Sequence, residues 1–131
     1  MPVAAPPEAL SDTVRAWLGD GRHSLLIGEE RRAAADGRTF ETLDPATGKA
    51  IAEVPQAGAA DVDAAVRAAR AAFDEGPWRT MTPAVRARVL QRFAAAVADH
   101  ADELAELESL DNGKPLKLAR KVDLAETIDY L

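Results

Sequence analysis

The sequence predicts an α+β chain: a small antiparallel β-ribbon followed by three to four helices. Three observations predict it. Short β-branched and aromatic runs before residue 57 are separated by turn residues. From residue 58 onward, apolar residues recur every three to four positions. Between these later runs stand Gly-Pro, Thr-Pro and Asn-Gly-Lys-Pro, which are helix stops and starts. The expected organisation is an extension with a short helix over 1–22, the ribbon over 23–57 and a helical segment over 58–131.

Taken in order, Met1 to Pro7 is rich in Pro and Ala and is expected to be extended or disordered. Ser11 is placed to cap a short helix with Leu10, Val14, Trp17 and Leu18 on one face, ended by Gly19-Asp20-Gly21. Ser24 to Ile27 reads as a strand, Gly28 to Gly37 as a charged connection, and Arg38 to Leu43 as a second strand. Asp44-Pro45-Ala46-Thr47-Gly48 carries turn chemistry, because Asp bonds its own backbone, Pro fixes φ and Gly closes. Ala50 to Val54 is the return strand, giving a ribbon of about three strands.

Gly58 to Phe73 reads as a helix. Asp61 and Asp63 lie in its first turns, where the helix dipole favours anions. Its expected apolar face is Val62, Ala65, Val66, Ala69 and Phe73. Gly76-Pro77 stops it. Thr82-Pro83 then supplies an N-cap with proline in the first turn, for a helix with Val85, Val89, Phe93 and Val97 four apart. A break is expected near Asp99-His100. The next helix carries Leu104, Ala105, Leu107 and Leu110 and ends in Asp111-Asn112-Gly113, with Gly113 where a positive φ is wanted. A last helix starts at Pro115, with Leu118, Val122, Ala125 and Ile128 on one face and Leu124 and Leu131 flanking it. No Gly, Asn or basic last turn follows, so the helical segment is expected to be truncated at its C-terminus.

Composition narrows the function classes. The chain has 131 residues, 47% hydrophobic but only 5% aromatic, and much of the apolar content is alanine. Alanine buries little area, so the core is expected to be thin. A net charge of −6, with arginines interspersed among acids, argues against nucleic acid as a partner. No apolar run reaches about 18 residues, so no membrane span is expected. With no basic and apolar leader at Met1, the expected location is cytoplasmic. There is no cysteine, which excludes disulfides, cysteine metal sites and thiol catalysis by this chain. His23 and His100 lack companions at catalytic or metal spacing, and Glu106 and Glu108, two apart on a helix, point to different faces. Lys114 reads as a solvated turn lysine, and Trp17 and Trp78 as packing residues. No catalytic residue and no cofactor-binding residue is therefore assigned.

The wording of the helix–turn–helix joint goes further than its physics. Leu107-Glu108-Ser109-Leu110-Asp111-Asn112-Gly113-Lys114-Pro115 resembles a signature near the N-terminal end of NAD(P)-dependent aldehyde dehydrogenases. Asp44-Pro45-Ala46-Thr47-Gly48 resembles that family's hairpin turn. Asp61 to Val66 with Ala68 to Phe73 resembles its first long helix, and Gly76-Pro77-Trp78-Arg79 the loop that follows. The resemblance runs from about Leu25 to Leu131, and Leu18 to Ile27 is loosely similar to members acting on phenylacetaldehyde.

The resemblance implies that this chain is the N-terminal portion of an α/β aldehyde dehydrogenase fold, in which it forms the ribbon and the periphery of the cofactor domain. It implies an oxidoreductase that converts an aldehyde to an acid through a cysteine thiohemiacetal, with NAD or NADP as cofactor in the full-length family. The partners implied are the rest of that polypeptide, a homo-oligomer and the aldehyde. The nucleophile and the dinucleotide site lie elsewhere in the family, so the 131 residues alone are expected to be inactive. The resemblance also implies a monovalent cation site, Na+ or K+, taking the backbone carbonyls of Thr42 and Leu43 and the carboxylate of Asp111. Hard cations prefer such oxygen ligands. The alternative is that Asp111 bonds within its own turn. Asp44 stands where the family often has Asn, and its extra charge needs a partner or solvent. The competing reading of the whole chain is a stand-alone helical binding or assembly module without catalysis. A third reading, a small enzyme in its own right, lacks convergent polar residues.

Overall fold

A computed structural model describes residues 10–19 and 23–131. The expectation for Met1 to Pro7, and the Asp20-Gly21 part of the first helix stop, lie outside these residues. Helix α1 spans Asp12–Gly19. Strand β1 (Leu25–Ile27) pairs antiparallel with β2 (Glu30–Arg32), and β3 (Thr39–Leu43) pairs antiparallel with β4 (Ala50–Pro55). Then follow α2 (Ala59–Glu75), a 3₁₀ turn (Pro77–Arg79), α3 (Pro83–Asp99) and α4 (Ala101–Asn112). The last stretch is α5 (Leu116–Leu118), a π-helical turn (Ala119–Asp123) and α6 (Leu124–Tyr130).

The expected three-strand ribbon is instead two separate two-stranded hairpins. The strand not foreseen is β2, Glu-Arg-Arg, whose charge hides a β pattern. Its signal was the two-residue loop Gly28-Glu29. Gly28 has φ of 63°, and glycine at the first loop position with no positive φ at the second suits a tight hairpin turn.

Among the described residues, two small clusters form the core. Val14 and Leu18 of α1, Ile51 and Ala52 of β4 and Leu110 of α4 are buried together, with Leu10 and Leu107 against them. Ala105 of α4, Ala119 of the π turn and Leu124 of α6 form the second, with Val97 against it. Ser11 ties α1 to α4. Its backbone N–H and its hydroxyl both donate to Glu106 Oε2, at 2.9 and 2.7 Å, and its Oγ accepts from Val14 N at 3.4 Å as the N-cap.

Two helix faces differ from expectation. On α2, Val62, Val66 and Phe73 are exposed, Phe73 by 70%. The inward face carries Asp61, Ala64 and Ala68, because Asp61 binds the first hairpin. Its carboxylate accepts from Gly58 N (3.0 Å), Ala35 N (3.1 Å) and Arg32 Nη2 (2.9 Å), and only 1% of the residue is exposed. These donors hold the Asp61 carboxyl below the usual range, Gly58 N–H first and then the Arg32 guanidinium.

In the last stretch, Leu118 and Val122 are exposed while Ala119 and Leu124 are buried. The wide turn, in which Leu124 N–H bonds the Ala119 carbonyl, rotates the register away from a regular helix. Pro115 is the residue before this helix, not its first. The other stops and starts fall as expected. Thr82 Oγ1 accepts from Val85 N, the chain breaks at His100, and Gly113 ends α4 with φ of 76°.

Candidate functional site

The sequence-derived site lies where β3 meets the end of α4. Strand β3 approaches its end with an irregularity between Thr42 and Leu43. Thr42 pairs with Ala52 and Leu43 with Ala50, leaving Ile51 as an extra residue on β4. Sixty-nine positions along the chain, Asp111 Oδ1 accepts a hydrogen bond from Thr42 Oγ1 at 2.8 Å. The structure thus brings the Thr42 side chain, not its carbonyl, to Asp111, with Leu43 next in the strand. The sequence reading used only the Thr42 carbonyl; the hydroxyl contact has no local signal.

The turn after α4 does not use Asp111. Asn112 Oδ1 accepts from Lys114 N at 2.8 Å, and Ser109 Oγ donates to the Lys114 carbonyl at 2.6 Å. Lys114 itself is not a solvated turn lysine, since its ammonium pairs with Asp123. On the hairpin side, Asp44 is buried. It accepts from Thr47 Oγ1 at 2.7 Å and from Ala46 N at 2.8 Å. The Thr47 hydroxyl, then the Ala46 N–H, hold its carboxyl below the usual range. The charge questioned from the sequence is answered by donors of its own turn.

The donor set fits a hard monovalent ion only in part. Asp111 offers one carboxylate and Thr42 one hydroxyl. Among the described residues no group of three or more His, Cys, Asp or Glu could hold a metal ion. An ion here would depend on backbone oxygen. A dinucleotide does not fit: the described strands form only antiparallel hairpins, without the parallel crossover and phosphate-binding loop such a cofactor uses.

Nor do the described residues assemble catalytic groups. His100 Nδ1 lies 3.0 Å from Glu103 Oε2, and the His23 ring packs 4.4 Å from Trp17. Glu106 is held by Ser11, while Glu108 accepts from Asn112 Nδ2 at 3.1 Å, so the two acids face different partners. No helix among the described residues is long and apolar enough to cross a membrane.

A hairpin with an Asp-Pro turn thus meets a Leu-Asp-Asn-Gly helix end. The chain belongs to the aldehyde dehydrogenase family, whose model matches residues 32–131. It is 48% identical over 112 residues to aldehyde dehydrogenase family 2 member B4 of Arabidopsis thaliana, covering 86% of this chain and 20% of that protein. It is 42% identical over 120 residues to benzaldehyde dehydrogenase of Antirrhinum majus, covering 92% and 22%. Its fold is similar to the NAD+ complex of aldehyde dehydrogenase from Bacillus cereus, with a TM-score of 0.86 and 44% identity over 91% of this chain and 24% of that one. The chain therefore spans about a fifth of the length of the curated relatives it matches.

Proposed function

We propose that this chain works as the N-terminal part of an NAD(P)-dependent aldehyde dehydrogenase that oxidises an aldehyde to a carboxylic acid. In this reading the two hairpins and the helices brace the cofactor domain. A cysteine nucleophile and the dinucleotide site come from polypeptide outside these 131 residues. The reading includes assembly as a homo-oligomer and residence in the cytoplasm. The observation that carries it is the pairing of a family match across residues 32–131 with large apolar side chains left bare on α2, β3 and α4. A thin, alanine-rich core of two small clusters suits a segment stabilised by contact with more protein.

The reading extends to a monovalent cation, Na+ or K+, at Thr42, Leu43 and Asp111. The 2.8 Å contact between Thr42 and Asp111 supports it, because it gathers oxygen atoms at one carboxylate.

The test is the intact mass of the protein from its source, with the reading frame followed past Leu131 and the product assayed for aldehyde oxidation with NAD and NADP. A mass several times 13.9 kDa, a cysteine in the continuation and turnover are the expected results. A native mass near 13.9 kDa with a sharp cooperative melt of the monomer would overturn it in favour of a binding module.

A further inference from the structure

Asn112 and Gly113 place a self-modifying chemistry at the end of α4. A backbone nitrogen can attack the side-chain carbonyl carbon of an asparagine that precedes it. Glycine in the second position leaves that nitrogen unhindered, because it has no β-carbon. In this reaction the Gly113 nitrogen bonds to Asn112 Cγ and gives its proton to solvent. The Cγ–Nδ2 bond breaks and ammonia leaves. Water then opens the five-membered imide on one side or the other. The product is aspartate, or isoaspartate with the main chain rerouted through the side chain. One water is consumed and one ammonia is released, with no oxidant or reductant.

The end of α4 holds both reacting groups. Asn112 Oδ1 accepts from Lys114 N at 2.8 Å. That donor polarises the amide carbonyl and lies where the oxygen of the tetrahedral intermediate gains charge. The nucleophile, by contrast, is tied down. Gly113 N–H donates to the Ser109 carbonyl at 3.0 Å, which keeps its proton in place and turns the nitrogen towards the helix. Asn112 Nδ2 donates to Glu108 Oε1 at 3.1 Å, which fixes the amide plane. Asn112 is the last residue of α4, and it and Gly113 are both exposed, so water reaches the site. Helix ends open more readily than helix centres.

We propose that Asn112–Gly113 is a spontaneous deamidation site gated by the last turn of α4. The closed turn withholds the Gly113 nitrogen, and its opening starts the reaction. The product does not restore the turn. A carboxylate at position 112 faces Glu108 without the donor that now joins them. It also adds negative charge at a helix C-terminus, where the dipole disfavours it. Isoaspartate lengthens the main chain by one carbon, at the point where Gly113 has no spare room against Pro45. Modification therefore loosens the joint between α4 and the β3–β4 turn.

The test follows Asn112 by peptide mapping with mass spectrometry and by an isoaspartate methylation assay. The protein from its source is incubated at neutral pH, with the same protein in guanidinium chloride giving the ungated rate. The native rate is expected to be at least about tenfold lower than the denatured one, since reaction passes through the opened turn. Glu108→Ala removes the acceptor of Nδ2 and should raise the native rate about 2- to 10-fold, while Glu108→Gln, which keeps an acceptor oxygen, should not. Asn112→Asp makes the acid product directly and should lower the apparent Tm by about 2–4 °C. Equal wild-type rates in native buffer and in denaturant overturn the gate. No conversion at Asn112 in denaturant overturns the site itself, and an unchanged Tm for Asn112→Asp overturns the loosening of the joint.

Discussion

Gly113 backs onto Pro45: a β-carbon built at 113 would lie 2.9 Å from Pro45 Cγ. The turn that ends α4 and the turn that joins β3 to β4 thus meet at a point with no room for a side chain. Gly113 also has φ of 76°, where a residue with a β-carbon is strained. Both halves of the joint depend on the same small residue.

Gly113→Ala should lower the stability of the folded chain by about 1–3 kcal/mol, since strain and crowding act together. Chemical denaturation of the longer protein measures it. Gly19→Ala, at a position with open space around it, is the matching control. Equal effects at the two positions would contradict the contact with Pro45.

Thr42→Val removes the donor to Asp111 and should cost about 0.5–1.5 kcal/mol. If the pair also holds a cation, Asp111→Asn in the longer protein should abolish any dependence of activity on Na+ or K+. A titration of each salt at constant ionic strength, with choline chloride as filler, reads this out. Unchanged salt dependence in the Asp111→Asn protein would remove the cation from the account.

Ser11 and Glu106 should be energetically coupled, because two hydrogen bonds join them across α1 and α4. Ser11→Ala should cost about 1–2 kcal/mol through loss of the cap and of the bond to a charged group. In a double-mutant cycle with Glu106→Ala, the second change should cost clearly less once the first is made. Strict additivity would mean that the two residues do not meet in solution.

Asp61 gives the chain an acid-sensitive joint between α2 and the β1–β2 hairpin. Its folded pKa is depressed, so its stabilising effect is present above the unfolded value near 3.8 and is lost as pH falls through the lower folded value. Wild-type stability should therefore fall on acidification below about pH 4. Asp61→Asn should be less stable at neutral pH and should lose part of that slope. Denaturation midpoints between about pH 3 and 7 decide it, and parallel curves for the two proteins would refute the assignment.

The stops and starts of the helices were legible because each is written in adjacent residues. Thr82-Pro83, Gly76-Pro77 and Asn112-Gly113 act through local φ preferences and missing donors, so no distant contact is needed to read them. The Asp44 turn was legible for the same reason. Strand β2 was not, since Glu30, Arg31 and Arg32 carry no alternating apolar signal and are held by pairing with β1. The face of α2 was misread because periodicity locates an apolar stripe without saying what covers it. Here Asp61 binds Arg32 and Ala35, turning Ala64 and Ala68 inward. The face of the last helix was misread because a single π turn shifts the register after Ala119.

For the candidate site, the sequence named Thr42, Leu43 and Asp111 through likeness to a family, and named the residues that form the turns around them. By itself it determined most helix stops and starts, the Asp44 turn and the absence of a thiol, all properties of neighbouring residues or of composition. Only the tertiary structure decided that Thr42 reaches Asp111 and that Gly113 packs on Pro45. Those contacts join residues tens of positions apart, and their geometry depends on how the helices and hairpins pack, which no local propensity encodes.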